Sequence, residues 1–235
     1  MSLAGFLATI VLLSFGIVVL YVLSIYFGFR RSSYKDASGN SFLKLLLDKG
    51  SYGEFLIFSA LEKLNGHKRL LTNIYLPKGD DSTTEVDVVM IAETGIYVFE
   101  SKNYSGWIFG DEKGKNWTQV FENKQKNHFY NPVWQNKGHI SALKFATGLH
   151  NAELYKSYIV FSERCTLKKV NVDSPNVFVM KRGSLLRNVR LDIMSSPTVF
   201  KREQVDRIYV KLLEFSHADR STKKAHIESI RSKIS

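Results

Sequence analysis

The chain has 235 residues, 44% hydrophobic and 23% charged, with 33 Lys and Arg against 22 Asp and Glu and a net charge of +11. That composition excludes a disordered or collagen-like chain, and a single cysteine, Cys165, excludes an intrachain disulfide framework. The basic excess points to an anionic partner, either nucleic acid or a membrane surface.

Leu3 to Phe29 is a run of 27 residues without a charge, and about 20 apolar residues suffice to cross a bilayer core. A cleaved signal peptide has a basic start and an apolar stretch of about 7–15 residues. This chain instead starts Met-Ser-Leu-Ala-Gly and has no small-residue cleavage site after the run. Tyr21 and Tyr26 fall where interfacial aromatics belong, and Arg30, Arg31 and Lys35 form a positive flank. Residues 1–30 therefore read as a single-pass cell-membrane anchor, with residues 3–29 in the bilayer. The positive-inside rule puts all that follows in the cytoplasm.

The remaining roughly 200 residues suffice for one α/β domain. Residues 31–49 read as a linker and a short helix: Ser32–Asn40 is polar, Phe42–Asp48 is amphipathic, and Lys49-Gly50-Ser51 breaks the helix. Apolar residues recur at helical spacing from Tyr52 to Leu64, ended by Asn65-Gly66. A strand is expected over Arg69–Leu76, closed by a turn at Pro77-Lys78-Gly79-Asp80-Asp81. Glu85–Ile91 and Ile96–Lys102 pair around Ala92-Glu93-Thr94-Gly95. Short strands with turns at Gly110 and Gly114 fill Trp107–Val120, and Asn131-Pro132 opens a helix to about His150. Strands at Tyr155–Phe161 and Val177–Met180 and a helix over Arg202–Phe215 close the domain. This order predicts an α/β fold, a mixed central sheet flanked by helices. Residues 151–235 complete it and end in a basic tail of Arg220, Lys223, Lys224, Arg231 and Lys233. Cys165 reads as an ordinary strand or loop residue, since nothing around it marks an activated thiol.

The chemistry sits in the hairpin EVDVVMIAETGIYVFESKN. Alternate strand residues share a face, so Glu100 and Lys102 lie together. A two-residue turn at Glu93-Thr94 or a four-residue loop at Ala92–Gly95 puts Asp87 opposite Glu100; a three-residue loop sends Asp87 to the other face. Facing carboxylates repel unless a cation lies between them, and Mg²⁺ takes one or two carboxylates plus water and phosphate oxygens. The competing explanation is a solvated sheet face. Against it stand the apolar flanks Val86, Val88, Val89, Met90, Ile96, Val98 and Phe99.

These residues resemble the PD-(D/E)xK nuclease superfamily, and more closely the nuclease-related domain, NERD. The resemblance is carried by Gly53-Glu54, Glu85-Val86-Asp87, Gly95-Ile96-Tyr97-Val98-Phe99-Glu100-Ser101-Lys102-Asn103, Gly106 and Asn131-Pro132-Val133-Trp134-Gln135, within residues 50–150. It implies a restriction-endonuclease-like fold and a Mg²⁺ (or Mn²⁺) cofactor. Asp87 and Glu100 would be the metal acids and the Ser101 carbonyl a further ligand. Lys102 would be the catalytic lysine, Glu54 a helix glutamate near the metal, and Gln135 a helix glutamine lining the site. Val86 stands where the superfamily name has proline. Read from the residues alone, Glu54 and Gln135 also suit helix starts, and His139, one turn past Gln135, reads as structural. Trp107 and Trp117 read as packing residues before base-stacking ones. The expected function is a metal-dependent nuclease acting on DNA or RNA at the cytoplasmic membrane face. The alternative is a non-catalytic module that binds nucleic acid or a partner on the same fold. Oligomeric state is not legible in the sequence.

Overall fold

A computed structural model describes residues 2–78 and 83–216. The basic tail and part of the turn after Pro77 lie outside the described residues. The chain begins with α1 (Leu3–Arg31), an uncapped apolar rod except for Ser2, whose Oγ accepts the Gly5 amide at 3.2 Å. Among the described residues it is the one helix long and apolar enough to cross a membrane.

The stretch expected as a polar linker carries α2 (Tyr34–Ser38), and Tyr34 is fully buried. α3 (Phe42–Leu47) and α4 (Lys49–Glu62) follow. The helix break falls at Asp48 rather than at Lys49-Gly50-Ser51, because the Asp48 carboxylate accepts the Gly50 and Ser51 amides at 3.0 and 3.2 Å and starts α4 there. Ser32 and Ser33 donate three hydrogen bonds to the Glu62 carboxylate, tying the end of α1 to the end of α4.

The main sheet has the order β1-β2-β3-β7-β9, from β1 (Lys68–Pro77), β2 (Thr83–Ala92), β3 (Gly95–Lys102), β7 (Tyr155–Phe161) and β9 (Val177–Lys181). β1, β2 and β3 run antiparallel, whereas β7 and β9 are parallel to β3, so the sheet is mixed as expected. One face packs on α4 and α6 (Arg182–Ser195) through Val88, Met90, Tyr97, Phe99 and Tyr158. The other packs on α5 (Pro132–Thr147) and α7 (Arg202–Leu213) through Val89, Ile91, Ile96 and Val98. Both faces are covered, which is why the hairpin strands read as near-continuous apolar runs.

A second sheet, β6-β5-β4-β8, grows from the C-terminal end of β3. It contains β4 (Gly106–Asp111), β5 (Asn116–Val120), β6 (Lys126–Tyr130) and β8 (Cys165–Asn171). Gly110, expected in a turn, lies inside β4: a Cβ there would come within 2.1 Å of the Trp117 ring, so the glycine makes room for a buried tryptophan. β6 and β8 gave no periodic signal, because they are exposed along most of their length, whereas α6 buries Leu185 and Val189 at helical spacing and was not singled out in the sequence.

Candidate functional site

The β2–β3 turn is the two-residue one at Glu93-Thr94, and Ala92 pairs with Gly95. The ladder runs to Val88↔Phe99 and stops one step before Asp87 and Glu100. There the strands part. The Ser101 amide donates to Asp87 Oδ2 at 2.8 Å instead of to a backbone carbonyl.

β1 is irregular at the same level. Asn73 is left-handed, with φ 51°, a conformation asparagine tolerates better than most side chains. Around it both β1 and β2 change which residues face α5 and α7: Leu71 and Ile74 share that core, as do Val89 and Val86. The irregularity leaves Asn73 and Asp87 between regular segments, at the end of the sheet. The Asn73 amide bridges two carboxylates, donating to Glu54 Oε2 at 3.0 Å and Glu85 Oε1 at 3.1 Å. Tyr34 also donates to Glu54 Oε2, at 3.1 Å.

Glu100 is 1% exposed, and both its oxygens are engaged. Oε1 meets Lys102 Nζ at 2.7 Å and Oε2 meets His139 Nε2 at 3.0 Å. Lys102 also donates to Gln135 Oε1 at 2.9 Å. The His139 ring is fixed from behind by Thr84 Oγ1 at 2.9 Å from Nδ1. A Thr84 hydroxyl donating to Nδ1 leaves the proton on Nε2, aimed at Glu100. α5 supplies both Gln135 and His139 from one face, and Asn131 fixes its start by accepting the Val133 amide at 2.9 Å. α4 approaches β3 at Gly53, where a Cβ would lie 2.7 Å from Ser101 Oγ.

The electrostatics are lopsided. Burial, then the charges of Glu100 and Glu54, push the Asp87 carboxyl well above its ordinary range, and the Ser101 amide and Lys102 only partly oppose them. Burial also raises Glu54, against its bonds from Asn73 and Tyr34. Burial would lower Lys102, but Glu100 and Asp87 outweigh it and keep the ammonium charged.

The structure thus brings Asp87, Glu100, Ser101, Lys102 and Gln135 to one end of the sheet, with Glu54 acting on Asp87 by charge. Asn73, Tyr34 and Thr84 join them and were not singled out in the sequence; His139, read as structural, touches Glu100 directly. The one usable signal was the Gln135–His139 spacing. Trp117 is fully buried, as its packing reading requires, whereas Trp107 is 47% exposed. Among the described residues, no three His, Cys, Asp or Glu side chains converge to hold a metal. The donor chemistry of Asp87 and Glu100 nevertheless fits a hard cation, because Mg²⁺ needs only one or two carboxylates beside water and carbonyl oxygens.

Residues 49–162 match the family described as Nuclease-related domain, NERD. An uncharacterized protein of Bacillus anthracis is 33% identical over 190 residues, covering 79% of this chain and 85% of that protein. The chain belongs to the nuclease-related-domain family. No solved structure matches it.

Proposed function

We propose that the protein is a membrane-anchored, Mg²⁺- or Mn²⁺-dependent nuclease with a restriction-endonuclease-like core in residues 50–150, completed by residues 151–235. The observation that carries this reading is geometric: Asp87 is held by the Ser101 amide against an intact Glu100-Ser101-Lys102 strand in which Lys102 meets Glu100. Asp87, Glu100 and the Ser101 carbonyl would hold the cation. A strand residue's N–H and C=O point to the same edge, so the Ser101 carbonyl opens toward the side where its amide meets Asp87. The bound cation supplies Lewis-acid stabilisation of charge on phosphate. Lys102, held by Glu100 and Gln135, places a fixed positive charge for the phosphate oxygens. His139 positions Glu100, and Glu54 raises the local negative potential that attracts a cation. α1 crosses the cell membrane with residues 3–29, and Arg30, Arg31 and Lys35 hold the domain on the cytoplasmic side.

The test uses the full chain in detergent with single- and double-stranded DNA and RNA, with and without Mg²⁺ or Mn²⁺. Cleavage is expected only with the cation. Asp87→Asn and Glu100→Gln should lose Mn²⁺ binding in calorimetry together with cleavage. Lys102→Met should still bind Mn²⁺ while its rate falls by about 100-fold or more, the usual cost of removing a charge-stabilising group. Salt-dependent nucleic-acid binding with neither cation binding nor cleavage would establish the alternative, a non-catalytic binding module.

A further inference from the structure

α3 has two unlike sides. Leu45 is fully buried, and the Phe42 ring packs on Tyr26 and Phe29 of α1 with centroids 5.2 and 5.7 Å away. Leu43, Leu46 and Leu47 share the opposite side at i, i+3, i+4 spacing and are 64%, 40% and 76% exposed. Three exposed leucines on one short helix form an apolar patch of the kind that marks an interaction surface. We propose that this face of α3 is buried at the headgroup boundary of the membrane that α1 crosses, so that the domain is seated on the bilayer rather than hung from it.

The proposal rests on α1 being membrane-spanning, and the choice of occupant follows from continuity with it. α1 is uncharged through Phe29, and its first cations are Arg30 and Arg31. The hydrocarbon boundary therefore falls near Tyr26, on which Phe42 is packed; Phe29, the other ring that Phe42 meets, is itself buried against Tyr34 and Phe55. Interfacial helices combine leucines with flanking cations, and Lys44 and Lys49 flank this patch. α3 itself carries no acid, and the Asp48 carboxylate that follows it is turned onto the Gly50 and Ser51 amides at the start of α4. A cleft of about 610 Å³ between α1 and α4 lies beside this boundary, lined by Tyr21, Ile25 and Phe55 and by Arg31, Glu62 and Lys63. α4 follows α3 directly and carries Glu54, so the seat also fixes how the candidate site faces the membrane.

The experiment places a fluorophore on the full chain in phosphatidylglycerol-containing vesicles, at Leu47→Cys, Leu13→Cys or Glu153→Cys, and measures quenching by lipids brominated along their acyl chains. Cys165 is buried, so the unsubstituted chain provides the labelling blank. Leu13 should be quenched by deep bromines and Leu47 by shallow ones, with exposed Glu153 unquenched. Adding Leu43→Ser and Leu46→Ser should abolish most quenching at Leu47 and leave Leu13 unchanged. Quenching at Leu13 with none at Leu47 overturns the seat and leaves the anchor standing. No quenching at Leu13 overturns both. Full quenching at Leu47 despite the two serines also overturns the seat, because it would not need the apolar face.

Discussion

At the residue scale, the site depends on polar groups that complete one another's bonding. His139 holds the second oxygen of a buried carboxylate, so His139→Ala leaves Glu100 half-partnered. The expected cost is about 1–3 kcal/mol, read as a lower denaturation midpoint, with weaker Mn²⁺ binding in calorimetry as Glu100 loses its orientation. Asp87 gives a pH signature of definite sign. Burial and the charges of Glu100 and Glu54 raise its folded pKa above the unfolded value. The folded state therefore holds this proton where the unfolded state has lost it. Its contribution is fully present below the ordinary aspartate range and is lost as pH rises through the raised value. Thermal melts in a chelator should decline across that window. Asp87→Asn should flatten the decline, and Mg²⁺ should offset it; a wild-type curve parallel to that of Asp87→Asn would show that the carboxyl is not perturbed.

At the scale of elements, the small sheet depends on one missing side chain. Gly110 faces the Trp117 ring, whose indole nitrogen donates to the Asp111 carbonyl at 3.1 Å. Gly110→Ala forces that ring aside, and overpacking of this kind costs about 1–3 kcal/mol. Trp117 fluorescence should shift toward a wetter environment, and the melting temperature should fall. Gly138→Ala, with nothing within 4 Å of its added Cβ, lies in α5 and should be neutral or stabilising because alanine favours helix. Equal losses from the two changes would count against the packing account. Signals for elements were uneven for a related reason. Strand and helix periodicity located β1, β2, β3, β7, α5 and α7 to within a few residues, since each buries a face of the main sheet. β6 and β8 bury little and α2 is very short, so periodicity had little to act on.

At the scale of the whole molecule, the last described helix is tied back to the sheet. On α7, Asp206 Oδ1 accepts from Arg69 Nε at 2.7 Å and meets His67 Nε2 at 2.9 Å, joining the last described helix to β1. Burial opposes ionisation of Asp206, but Arg69 and His67 outweigh it and hold its carboxyl below the ordinary value. Its stabilisation is therefore present above the unfolded pKa and is lost as pH falls through the folded one. Asp206→Asn should lower stability near neutral pH by about 1–3 kcal/mol, and the difference from wild type should vanish in acid. A gap that stays constant with pH would assign the loss to packing alone.

The sequence by itself determined the uncharged 27-residue run, the mixed α/β order and the shared face of Glu100 and Lys102, because each follows from local hydrophobicity or from the fixed two-residue period of a strand. It also restricted the turn to lengths among which the observed Glu93-Thr94 turn is one. Tertiary structure alone decided that His139 closes on Glu100, that Asn73 turns left-handed in β1 and bridges Glu54 and Glu85, and that Tyr34 of the supposed linker reaches Glu54. The Tyr34 and His139 contacts join residues 20 and 39 positions apart. No periodicity reports them, because they arise only when separate elements pack and each buried polar group must find a partner.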